Sequence, residues 1–288
     1  MRPPDYSDYW LRKDCHRMSS PTNNIRPELL EMHKKLLDFG KKDISDAIQN
    51  KILKPNRSYH IFELVVRSMY VKSTTTYETI NLLCKKDYWA DTFALTKSLI
   101  ENLIVLTYIT ASQQDKEKNH RAELFGLWPI ISIHTTKTAS SHFRGIPKID
   151  LEEMLTVKKI DYDAAIKLHK EECGKLKKSY HRVDDNSWSG LSLSAMARET
   201  KLSNIYVLYW YCNLFAHPNM EGLKNSVSIE NDFDWILPKN KNDINDDLVF
   251  SFIAYSCLIE KIDEIFNLNL ANEIEIIKRD FVNVNQGT

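Results

Sequence analysis

Residues 202–219 read LSNIYVLYWYCNLFAHPN, a stretch that predicts one apolar helix ending at a histidine and a proline. Ser203 or Asn204 is a suitable N-cap, because short polar side chains bond the free amides of a first helical turn. Pro218 cannot continue a helix interior, and it moves the preceding residue away from helical geometry. His217 is therefore expected at the C-terminal edge of the helix, where the helix dipole favours its charged form.

The rest of the chain shows the same helical pattern. Glycine is scarce, with 7 residues among 288, whereas average usage is about 7%. Few glycines mean few tight turns, and apolar residues recur at helical spacing in segment after segment. We predict an all-α fold, a multi-helix bundle in which residues 1–24 form a short N-terminal arm and residues 25–288 form a single helical domain.

Several segments carry more specific expectations. Residues 89–112 are apolar on nearly every face, which predicts the most buried helix at the centre of the bundle. Gly40 follows an amphipathic helix that begins at Pro27, and it is expected as a C-terminal cap. Pro129 is expected to kink a helix over residues 116–140. Residues 220–245 have the composition of a loop that is long enough to contact a partner.

Charge and cysteine content restrict the class of protein. Lys+Arg and Asp+Glu both number 39, which argues against broad non-specific binding to nucleic acid while leaving a local basic face open. The cysteines are 5 in number, spread widely and without a CxxC pair, as expected for reduced thiols in a cytosolic protein. The most apolar run contains Glu101 and Asn102 and is shorter than the roughly 20 residues that span a bilayer. We therefore expect a cytoplasmic protein with no membrane partner.

Two pairs of polar residues are candidates for chemistry. Lys97 and Glu101 are four apart on the central helix and share a face. Because polar groups in a core need partners, they form an internal ion pair, lie at a bundle edge, or build a polar site with His217. Asn213 and His217 are also four apart, beside Cys212. His217 either bonds a neighbouring carbonyl or carboxylate, or acts as a general acid/base.

Other motifs indicate structure rather than chemistry. The turn at Ser187-Trp188-Ser189-Gly190 predicts a tryptophan anchored in the core. His169 and Cys173 have the i, i+4 spacing of two metal ligands, but no second pair completes a four-ligand zinc site. The sequence lacks GxxxxGK[ST], GxGxxG, HExxH and GxSxG. No metal and no cofactor are expected.

Taken in order, DYWADTFALTKSLIEN, WSGLS and the Tyr-rich helix ending in His-Pro resemble a bacterial all-helical family of unknown function. Its pattern is Arg-xxx-Glu in a first helix, a Trp-Ser/Thr-Gly turn and a Tyr…His helix. Glu101, Trp188, Gly190, Tyr206 and His217 fit this pattern, and Lys97 stands where the family usually has Arg. The resemblance covers about residues 57–265.

A weaker resemblance is to HEPN domains, helical bundles that include RNA-cutting toxins and antiviral effectors. Their motif is Arg, four to six residues, then His on a late helix. The segment from Cys212 to His217 has the polar residue and the histidine at that spacing, with Cys212 at the Arg position. The resemblance implies a homodimer and a metal-independent ribonuclease in defence or toxin systems, with RNA as partner.

Two functions are consistent with the sequence. In the first, a HEPN-like effector, His217 would be the general acid/base, Lys97 would stabilise phosphate charge in place of the missing Arg, and Glu101 and Asn213 would orient them. In the second, a non-catalytic interaction module, the same polar residues hold the bundle together and residues 220–245 contact a protein partner.

Overall fold

The computed structural model describes residues 26–52, 61–86, 91–140, 159–176, 187–216, 228–230, 234–236 and 242–286. Within these ranges the protein is all-α, as predicted, apart from one short two-stranded ribbon. The α-helices are α1 (Pro27–Phe39), α2 (Ser45–Ile52), α3 (Ile61–Lys85), α4 (Thr92–Thr110), α5 (Asp115–Ser140), α6 (Lys159–Leu176), α7 (Leu193–Glu199), α8 (Ser203–Ala216), α9 (Asn242–Phe266) and α10 (Ala271–Gln286). The ribbon pairs β1 (Ser228–Glu230) with β2 (Asp234–Ile236) in antiparallel register.

Helix α1 begins at Pro27 and Gly40 occupies its C-cap position, as the sequence predicts, but the chain stays helical beyond it. A π-helical turn (Gly40–Ile44) continues directly into α2, and Gly40 has right-handed helical geometry with φ −61°. Gly40 is needed for space instead, because a Cβ there would overlap the hydroxyl of Tyr255. The Tyr70 hydroxyl donates to the Gly40 carbonyl.

Helix α3 is continuous through the run of Ser and Thr at residues 73–76. The hydroxyls there bond back to carbonyls one turn earlier, Thr74 to Tyr70 at 2.9 Å and Thr75 to Val71 at 3.0 Å. Such bonds satisfy the hydroxyls within the helix itself. Helix α5 likewise continues past Pro129 to its end.

Among the described residues, α4 and α9 contribute the largest shares of the core. Helix α4 buries Leu99, Ile100 and Leu103, as expected for its apolar composition. Helix α9 is buried without interruption from residue 247 to residue 256. Since residues 97, 98, 101 and 105 of α4 are only part-buried, the prediction that α4 is the most buried helix is too strong, and α9 shares the centre.

The segment expected to be a loop, residues 220–245, contains both strands of the ribbon and the first turn of α9. Ser228 pairs with Ile236 and Glu230 with Asp234, a pairing that the loop-like composition did not reveal. The N-terminal arm expected for residues 1–24 lies outside the described residues.

The chain forms two compact units, each with its own contacts. The first comprises Met1–Ser58, Val66–Thr107 and Ala197–Thr288, and in it α1 packs on α9 and α10. The second comprises Tyr59–Val65 and Tyr108–Met196, and in it α5 packs on α6. That residues 25–288 fold as a single domain stays a prediction.

Candidate functional site

Lys97 and Glu101 lie one turn apart on α4 and both meet Tyr209 of α8. The Lys97 ammonium lies 5.5 Å from the centre of the Tyr209 ring, within the range of a cation–π contact. The pKa of the Tyr209 hydroxyl is raised by burial, and further by the charge of Glu101 and by the hydrogen bond to it. Tyr209 therefore links the two polar residues of α4 to α8. We call Lys97, Glu101 and Tyr209 the α4–α8 cluster.

The aromatic surface continues along α8 from the cluster. Tyr206 stacks on Tyr209, with ring centroids 5.3 Å apart and planes inclined by 20°. All four members of this enlarged group are part-buried, so they remain within reach of a dissolved ligand. The arrangement places a cation, a carboxylate and two stacked phenol rings at one edge of the first unit.

The other two predicted site residues belong to the same helix or follow it. Asn213 is part-buried and lies four residues after Tyr209, so that both share a face of α8. His217 directly follows the last residue of α8, and it lies outside the described residues. The predicted convergence of Lys97, Glu101 and His217 thus stays a prediction, while the meeting of Lys97 and Glu101 with α8 is a finding.

Cys212, at the position of the HEPN arginine, is fully buried. Burial raises the pKa of its thiol well above the usual value, and the charge of Asp247 adds to this effect. A neutral buried thiol cannot perform the role of an exposed guanidinium. A cation for that role has to come from elsewhere. The charge of Lys97 acts to lower the pKa of Cys212, but by less than burial and Asp247 raise it.

Asp247, on α9, is a buried acid that the sequence analysis did not single out. It is fully buried, and burial raises its pKa from 3.8 to about 7, although Thr92 and Thr96 of α4 partly counter this. Neither carboxyl oxygen has a hydrogen-bond partner of normal geometry. The signal was available, because Asp247 shares the core-facing stripe of α9 with Ser251, Ala254 and Leu258, at i, i+4, i+7 and i+11.

The second unit holds the Trp-Ser-Gly turn and the His169–Cys173 pair. Trp188 is buried, as predicted, with its ring edge-on to Tyr108 and Phe125. His169 Nε2 lies 2.8 Å from the Ser187 carbonyl and 3.7 Å from the Cys173 sulfur. Because a carbonyl only accepts, Nε2 carries the proton and cannot take one from the thiol. His169 therefore holds the turn in place and does not activate Cys173.

The described residues contain no group of three or more His, Cys, Asp or Glu side chains arranged to hold a metal ion. One helix among them, α4, is long and apolar enough by composition to cross a membrane. Its apolar window is 56% buried inside the protein, as a core helix would be, so this feature is weak evidence for a membrane span.

The fold and the α4–α8 cluster define an all-α protein with a part-buried polar and aromatic site between two helices of its first unit. The family of unknown function DUF5677 matches residues 63–234, and the chain belongs to that family. No curated protein and no solved structure matches the chain.

Proposed function

We propose that this protein is a HEPN-like helical effector that cleaves RNA without a metal ion, in an antiviral defence or toxin system of the cytoplasm. The observation that supports this most is the contact of Lys97 with Tyr209, which puts a cation beside the helix that leads into His217. Lys97 would stabilise the charge on a phosphate during cleavage, as preorganised cations do. His217 would be the general acid/base.

The buried thiol at the arginine position also fits this assignment. A HEPN-like site without its arginine needs another cation, and the charge of Lys97 acts on the thiol at that position. Glu101, held at the Tyr209 hydroxyl, would orient Lys97, and Asn213 would orient His217 from the preceding turn. The proposed active form is a homodimer, as the HEPN resemblance implies.

The test is cleavage of a labelled mixed-sequence RNA in the presence of EDTA. We expect His217→Ala to reduce the cleavage rate by about 10²-fold or more, the usual contribution of a general acid/base. Lys97→Ala should also reduce it, whereas Lys97→Arg should retain it. Lys72→Ala removes an exposed lysine of α3 and serves as the control for lost charge. Wild-type protein that leaves RNA intact, or His217→Ala that cleaves normally, would overturn the proposal.

A second function is favoured by a different observation, the exposed apolar side chains of α8. Val207 is 53% and Trp210 is 56% exposed, one turn apart, and tryptophan is among the residues that most often dominate binding energy at interfaces. In this alternative the protein is a non-catalytic interaction module that docks through α8 and residues 220–245. The α4–α8 cluster then serves only to hold the helices together.

Light scattering and the RNA cleavage assay together distinguish the two functions. If α8 is a protein-binding face, Trp210→Asp should dissociate an oligomer that Trp210→Phe leaves intact, and no RNA cleavage should accompany either form. If the oligomeric state is the same in both variants while cleavage depends on His217, the interaction module is excluded in favour of the ribonuclease.

A further inference from the structure

Few side chains of helix α8 are buried against the rest of the first unit. Of its described side chains only Ile205 and Cys212 are buried, although the helix is among the most apolar in sequence. The ring of Tyr211 adds contacts with Phe93 of α4 at 6.3 Å and with Phe250 of α9 at 5.3 Å. A helix held by so few buried groups opens more easily than the core helices do.

A fully buried carboxyl group, that of Asp247, lies on α9 one turn before Phe250, whose ring packs edge-on against Tyr211 of α8. Asp247 acts electrostatically on the Cys212 thiol of α8 and on the Cys84 thiol of α3. From α4 it faces the hydroxyls of Thr92 and Thr96, neither of which forms a hydrogen bond of normal geometry with it. None of these four groups carries a positive charge, and the nearby cation Lys97 acts on Cys212.

An ionised carboxylate in this position is costly, because burial without a cation or a full set of donors removes its hydration. Of the three helices that carry the neighbours of Asp247, which are α3, α4 and α8, helix α8 has the fewest buried side chains among the described residues. Moving α8 away is therefore the smallest change that lets water reach the carboxyl group. The buried thiol of Cys212, on which the charge of Asp247 acts, would leave together with the helix.

We propose that Asp247 is a proton-controlled latch for α8, which stays seated while the carboxyl is protonated and leaves its seat when the carboxyl ionises. The direction of the pH dependence follows from the linkage between proton binding by Asp247 and the opening of α8. Asp247 has a raised pKa of about 7 in the seated form and regains an ordinary value once water reaches it, so that opening releases a proton. The fraction of molecules with α8 open therefore rises with pH up to about 7 and then levels off.

Opening of α8 affects the α4–α8 cluster, whether or not the cluster is catalytic. When α8 leaves, Tyr209 separates from Lys97 and Glu101, and the cluster is dismantled. The latch does not depend on the proposed ribonuclease activity, and it can be tested on protein that has no known substrate.

The experiment is amide hydrogen exchange of the full-length protein from pH 5 to pH 8, corrected for the pH dependence of chemical exchange. We expect the opening constant of α8 to rise about tenfold from pH 5 to pH 6 and to flatten above pH 7. In Asp247→Asn the α8 profile should be flat. Asp263→Asn removes another buried carboxylate of α9, one that accepts the Leu270 amide at 2.9 Å, and it should keep the wild-type profile.

Exchange in α1 and α10 supplies the internal reference, and it keeps the test valid even if Asp247→Asn does not fold. In the wild type these two helices should show no comparable rise, because the latch opens α8 alone. A rise of equal size in α1, α8 and α10 would mean that ionisation destabilises the whole unit, and the latch would be wrong. An α8 profile independent of pH in the wild type would overturn it as well.

Discussion

The imidazole of His33 stacks on the ring of Tyr77 in the core of the first unit, with centroids 5.2 Å apart. Phe252 and Phe281 make edge-to-face contacts with the same imidazole. His33 is fully buried, and neither ring nitrogen has a hydrogen bond of normal geometry. The histidine is thus held as one more aromatic ring, joining α1 to α3, α9 and α10.

This environment makes the protein sensitive to acid. Burial lowers the pKa of His33 from 6.5 to about 3, the backbone of Leu248 opposes this, and the charge of Lys85 adds to it. His33 therefore binds a proton more tightly in the unfolded chain than in the folded protein. As a result, the free energy of unfolding falls as the pH drops from 6.5 towards 3. Between pH 7 and pH 4.5 we expect His33 to account for a loss of about 3 kcal/mol.

Urea unfolding of the wild type and of His33→Phe at both pH values measures this contribution. The variant keeps a planar ring for Tyr77 and should lose about 3 kcal/mol less on acidification than the wild type. Equal losses in the two proteins would show that His33 does not titrate on unfolding.

Gly40 and Tyr255 give a second prediction. A Cβ on Gly40 would overlap the Tyr255 hydroxyl oxygen, which is itself 3.0 Å from the Thr74 hydroxyl in the core. Gly40→Ala should therefore destabilise the protein by about 1–3 kcal/mol, as overpacking does. Tyr255→Phe removes the overlapping oxygen, so the double variant should recover part of the loss.

The control is Gly174→Ala on α6, where an added Cβ has no heavy atom within 4 Å. Since alanine is favoured over glycine in a helix by about 1 kcal/mol, this change should stabilise the protein. The free energies of unfolding of the four variants form the test. Additive effects of Gly40→Ala and Tyr255→Phe would mean that the two residues are not in conflict.

The sequence predicts the helices well because helical periodicity survives wherever one face is buried. It does not show why residue 40 is a glycine, because a glycine that ends a helix and a glycine that makes room for a neighbour look the same in one sequence. It also does not show that few of the described side chains of α8 are buried. The apolar residues of that stretch occur on every face, and composition does not say which face finds a partner.

The candidate site was also predictable in part. Lys97 and Glu101 stand out as charges on an apolar helix, and their i, i+4 spacing puts them on one face. Tyr209 was not predicted as their link, because one tyrosine among three on α8 carries no mark of its neighbour. Asp247 was missed although its position on the apolar stripe of α9 is visible in the sequence, because an acidic residue at the start of a helix is usually exposed and its burial here depends on how α9 packs.

The burial of Leu103 makes a third prediction. Its side chain is almost completely buried on α4, and truncation would leave a cavity that the packed helices fill only partly. Leu103→Ala should cost about 2–5 kcal/mol of unfolding free energy. Leu82→Ala, on the exposed face of α3, should stay within about 0.5 kcal/mol of the wild type. Similar costs in both variants would contradict the assignment of α4 to the core.

The last prediction concerns the link between Lys97 and Tyr209. A cation over an aromatic ring is attracted by the negative face of the ring, and the hydroxyl is not required for this. Tyr209→Phe should therefore keep the contact that Tyr209→Leu removes. A partly exposed contact of this kind contributes about 0.5–1 kcal/mol. The Tyr209→Leu variant should therefore be less stable than Tyr209→Phe by about that amount, in addition to the packing energy lost with the ring.

Double-mutant cycles separate the contact from packing. In a Lys97→Met background the difference between Phe and Leu at residue 209 should shrink by the coupling energy of about 0.5–1 kcal/mol. The same cycle with Lys72→Met, on α3, should show none. If the coupling with Lys97 is also absent, then Lys97 does not rest on Tyr209 in solution, and the cation that the proposed ribonuclease needs would have lost its structural support.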